Sequence, residues 1–168
     1  MTMRLIRKFA LPIIFLMTLG CAAQDLPSVQ LNADNGAGKP LEDLTRNAVT
    51  RDYARAWSTL ARAMDTSNTN LIDGDFVGVA ADKLTAGIEQ QAKAGLHRRY
   101  IDRGHRVDVL FYSVDGASMQ LRDTAQLEIQ LMDGSKVLHS DNVTRQYISL
   151  MTPTEVRWKV RVLQEVEK

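Results

Sequence analysis

The chain has 168 residues, of which 45% are apolar and 24% charged. That mixture and length suit one ordinary globular domain plus a targeting segment, and they exclude a disordered chain, a collagen-like chain and a polytopic membrane protein. Twenty-one Lys and Arg against 20 Asp and Glu leave no overall field that would draw nucleic acid, and the single cysteine can form neither an internal disulfide nor a multi-cysteine zinc site.

Residues 1–21 have three parts. Arg4, Arg7 and Lys8 are a basic start, Phe9 to Leu19 is an uncharged and mostly apolar run, and Gly20, Cys21, Ala22 and Ala23 are small. This is the layout of a bacterial secretory signal peptide. As a helix the apolar run rises about 16 Å, well short of the ~30 Å hydrocarbon core, so it predicts no permanent span. Residues 22–40 contain Pro, Gly, Asn and Asp without helical or strand period, which predicts a flexible linker.

From Leu41 the spacing turns helical. Leu44, Tyr53, Trp57, Leu60 and Met64 recur at threes and fours, with Arg46, Arg51, Arg55 and Arg62 on the other side. The helix stops at the turn-rich run Asp65 to Asn70. Val77, Ala81, Leu84, Ile88 and Ala92 mark a second helix, with Gly95 as its stop. The cluster from His97 to Arg106 is locally basic. Three readings stand for it: a solvated connector, an anion-binding patch, or a His/Asp acid–base pair.

After Gly95 the period changes from about 3.6 to two. His105–Val114 predicts a strand, and Asp115-Gly116 a turn. Met119–Met132 is the clearest strand, with Met119, Leu121, Ala125, Leu127, Ile129 and Leu131 on one face. Asp133-Gly134 signals a hairpin. Val137–Thr152 is the next strand, with a bend expected near Asp141-Asn142, and Pro153 marks its end. Val156, Trp158, Val160 and Val162 alternate with Arg157, Lys159 and Arg161 in a last strand, whose basic stripe has Glu128 and Asp108 as cross-sheet partners. Short connections predict antiparallel pairing. Trp57, Leu60, Leu84, Ile88, Leu127, Ile129, Trp158 and Val160 are the expected core.

Asp123 is the most informative polar residue. Strict alternation puts it on the apolar face between Leu121 and Ala125, where a carboxylate must be paired, hydrogen-bonded or solvated in a cavity. An ion pair, a bulge that turns it outward, a polar pocket and general acid–base chemistry all stay open. His139 shares a parity class with Val137 and Val143 and is a second inward candidate. Asp123, Tyr100 and His105 are the candidate ligand-binding residues, and no catalytic residue is assigned. No Gly-x-Ser-x-Gly occurs, no Gly-rich phosphate loop opens a helix, and the three histidines lack metalloprotease spacing. No metal and no cofactor is expected.

Two resemblances add to this. Thr18-Leu19-Gly20-Cys21 resembles the lipobox of bacterial lipoproteins, which implies cleavage before Cys21, its acylation, and a membrane as partner. Thr18 departs from the usual Leu, and cleavage after Ala22 or Ala23 is the alternative, giving a soluble periplasmic or secreted protein. Helices followed by an antiparallel meander of four strands, with Asp73–Gly78, Gly95 to Tyr100, and the closing Tyr147 and Arg157-Trp158-Lys159-Val160, resemble the nuclear transport factor 2-like superfamily. Its plastid-division and mitochondrial-import relatives are similar too. This implies an α+β cone over residues 41–168, made of N-terminal helices packed on a curved antiparallel sheet of about four strands. The superfamily holds both binding modules and small SnoaL-like lyases and isomerases that use inward Asp, His or Tyr. The expectation is therefore an exported binding or assembly domain for an unidentified protein or small ligand, with a homodimer as one form. A lyase or isomerase built on Asp123 is the alternative.

Overall fold

A computed structural model describes residues 26–34 and 36–166. The signal-peptide and acylation expectations, Cys21 included, lie outside the described residues. The element order is β1 (Val29–Asn32), β2 (Ala37–Gly38), α1 (Asp43–Thr66), a 3-10 turn (Thr69–Gly74), α2 (Gly78–Lys93), β3 (His97–Tyr112), β4 (Met119–Asp133), β5 (Lys136–Pro153) and β6 (Trp158–Glu165).

The helix α1 is amphipathic, and its buried face carries Val49, Tyr53, Ala56, Trp57, Leu60, Ala63 and Met64. Burying each of the larger side chains contributes about 1.5–3 kcal/mol. Ser67 ends the helix in the left-handed conformation, and its N–H reaches back to the Ala63 carbonyl. Gly95, at φ 71°, stops the chain after α2 as its position predicts.

The strands β3, β4, β5 and β6 form the antiparallel meander, joined by turns at Asp115-Gly116 and Asp133-Gly134. The helices cover one face of this sheet. Met119, Leu121, Asp123, Ala125 and Leu127 are buried at every second position, as alternation requires. Of the expected core, Trp57, Leu60, Ile88, Leu127, Trp158 and Val160 are buried, while Leu84 and Ile129 pack against it half-buried.

Four expectations need correction. The linker predicted over residues 22–40 is structured where it is described. Among the described residues Val29–Asn32 and Ala37–Gly38 pair in parallel with β3, adding two short strands to the four of the expected antiparallel meander and making the sheet mixed. Short strands of this kind gain order from the β3 edge and not from their own propensity. The charged cluster His97–Arg106 is the first half of β3 rather than a connector. The bend expected near Asp141-Asn142 is absent, since these residues stay in register opposite Ile129 and Glu128; β5 breaks register near Leu138 and Leu150 instead. Glu128 and Asp108 do not meet the basic stripe of β6: Glu128 takes Arg103 at 2.7 Å and Asp108 takes Asn32 at 3.2 Å.

Candidate functional site

One β-bulge organises the inner face of the cone. In a regular strand residues three apart point to opposite faces. The ladder between β3 and β4 slips between Asp102 and Gly104, and Gly104 takes φ 129°, a conformation open to glycine. The Gly104 N–H donates to Asp102 Oδ1 at 2.8 Å, which holds the kink. Asp102 and His105 therefore lie on the same face, and His105 Nε2 sits 2.6 Å from Asp102 Oδ2. The other ring nitrogen, Nδ1, is 2.8 Å from Asp123 Oδ2. Tyr53, reaching in from α1, donates its hydroxyl to the same Asp123 oxygen at 2.9 Å.

The four groups form one chain, Asp102–His105–Asp123–Tyr53, that runs from the cone's rim to its interior. The side chains of His105 and Asp123 are 0% exposed, and that of Asp102 is 16% exposed. Burial alone would lower the His105 pKa, but the hydrogen bonds and charges of Asp102 and Asp123 outweigh it and raise it to about 9. The Trp57 ring lies 4.6 Å from the imidazole, centroid to centroid, within cation–π range. Tyr147 closes over Trp57 at 5.2 Å. Burial, then the Asp123 charge, push the Tyr53 hydroxyl well above its usual pKa. His105 is thus an imidazolium between two carboxylates, donating from both nitrogens.

That geometry limits the chemistry. Both nitrogens are committed, so His105 has no lone pair with which to accept a proton from a ligand. Asp123 Oδ1 and Ser149 Oγ are buried without a hydrogen-bond partner, and the Asp123 side chain is closed off from solvent. A cavity of about 420 Å³ borders the chain at its outer end only, where Tyr100, Asp102, Arg103 and Gly104 face Ser58 and Arg62 of α1 and the segment Leu26–Ser28. Of the three candidate binding residues, Tyr100 lines this cavity, while His105 and Asp123 meet each other behind its wall. His139 is not inward: its side chain is 66% exposed and pairs with Asp141 at 2.7 Å.

A second buried cluster has no signal in the local sequence. Asp52, on the otherwise polar side of α1, is wholly buried. One of its oxygens takes Arg51 at 3.0 Å and Arg55 at 2.6 Å, and the other accepts the Trp158 N–H at 2.8 Å. Asp75 accepts from Thr59 at 2.7 Å, Arg55 at 3.0 Å and Arg157 at 3.3 Å. The cluster fastens α1 to β6 with every carboxylate oxygen satisfied, which is what a buried carboxylate requires. Beside it lies a groove of about 760 Å³ lined by Arg55, Arg62, Arg157, Asn70 and Leu26, among others. Among the described residues no group of His, Cys, Asp and Glu is arranged to hold a metal ion, and no helix is long and apolar enough to cross a membrane.

No family model and no curated protein sequence matches the chain. Its structure is similar to that of the intermembrane space region of the chloroplast protein ARC6, with 17% identity and a TM-score of 0.65 over 77% of this chain and 100% of that one. It is also similar to a protein of Novosphingobium aromaticivorans assigned as a scytalone dehydratase, with 12% identity and a TM-score of 0.51 over 75% of this chain and 89% of the other. A third likeness is to a protein of the same species assigned as an aromatic ring hydroxylase, with 16% identity and a TM-score of 0.51 over 76% and 96% of the two chains. At these identities the likeness shows the fold alone, the α+β cone of the nuclear transport factor 2-like type.

Proposed function

We propose that this cone is a non-enzymatic binding or assembly domain, exported and held at a membrane through acylated Cys21. The observation that carries the first half is the closed interior. Asp102, His105 and Asp123, the groups that could do acid–base work here, are spent on one another, and Trp57, with Tyr147 against it, packs over the imidazole. A ligand then has the cavity beside Tyr100 and Asp102 to occupy, at the rim and not in the depth of the cone. The basic start, the apolar run and Gly20-Cys21 support the second half, and two acyl chains anchor stably where one does not.

The closed interior is tested by acrylamide quenching of Trp57 in a Trp158→Phe variant. A packed cone keeps Trp57 shielded, and quenching near that of free tryptophan would sink the reading. For the anchor, Cys21→Ser should move the protein out of the membrane fraction, and a mature N-terminus at Ala23 or Gln24 argues against acylation.

One observation favours a second reading. Asp102 sits on the wall of the 420 Å³ cavity with His105 and Asp123 behind it, the order of a carboxylate relay, and a lyase or isomerase working at the rim would use Asp102 as its base. Dehydration or isomerisation of a small hydroxy-carbonyl compound, abolished by Asp102→Asn in a protein that still folds, would establish it.

A further inference from the structure

The anchor and the basic groove lie close together. Only five peptide steps separate Cys21 from Leu26, and at no more than about 3.6 Å per residue they span at most ~18 Å. Leu26 itself lines both the 420 Å³ cavity and the 760 Å³ groove, and these share Ser58 and Arg62. The pairing of β1 with β3 removes most of the slack that a free 22–40 linker would have supplied. A chain anchored at Cys21 therefore keeps this face within ~18 Å of the surface that holds it.

We propose that the groove formed by Arg55, Arg62 and Arg157 seats the anionic headgroups of that surface. This rests on the anchor reading above. Three guanidiniums face the groove; Asp75, and Asp52 behind Arg55, pair with Arg55 and Arg157, so the groove's uncompensated charge is the positive one of Arg62. Arg55 and Arg157 are held in place by Asp75, each with about a third of its side chain exposed. Arg62 stands a further two turns along α1 and has no carboxylate partner among the described residues. Exposed apolar side chains flank the basic residues: Leu26 is 48% exposed on one side, and Val156, next to Arg157, is 78% exposed on the other. Basic residues beside solvent-facing apolar ones match a headgroup layer, whose phosphates lie just above the acyl boundary. Docking would hold the cone in one orientation and leave the far end of the sheet, around Val137 and Leu138, turned away from the membrane.

The test is hydrogen exchange of the mature full-length protein on vesicles of phosphatidylcholine alone and of phosphatidylcholine with about one-third phosphatidylglycerol. Slower exchange at Ser58–Arg62 and at Thr154–Lys159 is expected on the anionic vesicles only, and should be lost in 0.5 M salt. Arg62→Glu, which touches neither buried carboxylate, should bring exchange on anionic vesicles to its neutral-vesicle value. A reversal of one charge corresponds to roughly ten-fold or more in surface affinity. Equal protection on both vesicles, or none, overturns the groove proposal. Intact mass from the same sample reports the lipid on Cys21 separately. An acylated protein with an unprotected groove overturns this inference and leaves the anchor standing, and an unlipidated protein still protected on anionic vesicles overturns the anchor alone.

Discussion

His105 makes the stability of this domain depend on pH in a window where few groups titrate. In the unfolded chain the imidazole has its ordinary pKa of 6.5, and in the fold it is raised to about 9. Below pH 6.5 both states carry the proton and the stabilisation is fully present. Between the two values the folded protein holds a proton that the unfolded chain has lost, so stability falls by about 1.4 kcal/mol per pH unit. From pH 6 to pH 9.5 the loss comes to about 3 kcal/mol, a large part of a small domain's total. Tyr53, whose pKa is also raised, adds a loss of its own only above about pH 10, outside this range. Urea unfolding followed by tryptophan fluorescence reads the effect, because Trp57 lies against the imidazole. His105→Gln should be less stable at every pH and flat across the window. If that variant fails to fold, Asp102→Asn should narrow the window by lowering the upper pKa. A wild-type protein whose stability changes by less than about 1 kcal/mol from pH 6 to 9.5 would refute the charged, doubly bonded imidazole.

Other perturbations have equally definite outcomes. Trp158→Ala should cost about 3–5 kcal/mol in chemical denaturation, since Trp158 is 8% exposed and packs on Tyr112. A loss below about 1 kcal/mol would mean that the strand faces solvent. Asp52→Ala should cost about 1–3 kcal/mol, because it leaves the buried Trp158 N–H without an acceptor and Arg55 with Asp75 alone; an unchanged midpoint would show the cluster to be idle. In Gly38→Ala the new Cβ would come within 2.0 Å of the Tyr112 carbonyl oxygen at a φ of 98°. The Lys39 amide, which bonds to that oxygen at 2.9 Å, should exchange much faster while α1 keeps its protection.

The sequence was sufficient wherever the deciding physics is local. Periodicity located both helices, and the period-two pattern of Met119–Met132 placed Asp123 among buried neighbours before any partner was known. Gly95 and the Asp-Gly turns follow from backbone sterics that a dipeptide expresses by itself. What these signals could not supply was the partner of each buried charge. Parity along β3 puts Asp102 and His105 on opposite faces, and only the slip at Gly104 brings them together; a bulge is fixed by pairing with β4 and leaves little trace in its own strand. His105, placed by its sequence at the mouth of a strand, is buried because β1 extends the sheet beside it and Trp57 covers it. The burial of Asp52 and Asp75 exists only once α1 lies across β6, where the Trp158 N–H and Arg157 meet them. Val29–Asn32 and Ala37–Gly38 have too little propensity to declare themselves as strands, and the free edge of β3 orders them. The candidate site is thus a product of cross-element packing, since hydrogen bonds between residues 18 and 70 positions apart depend on where the whole chain has gone.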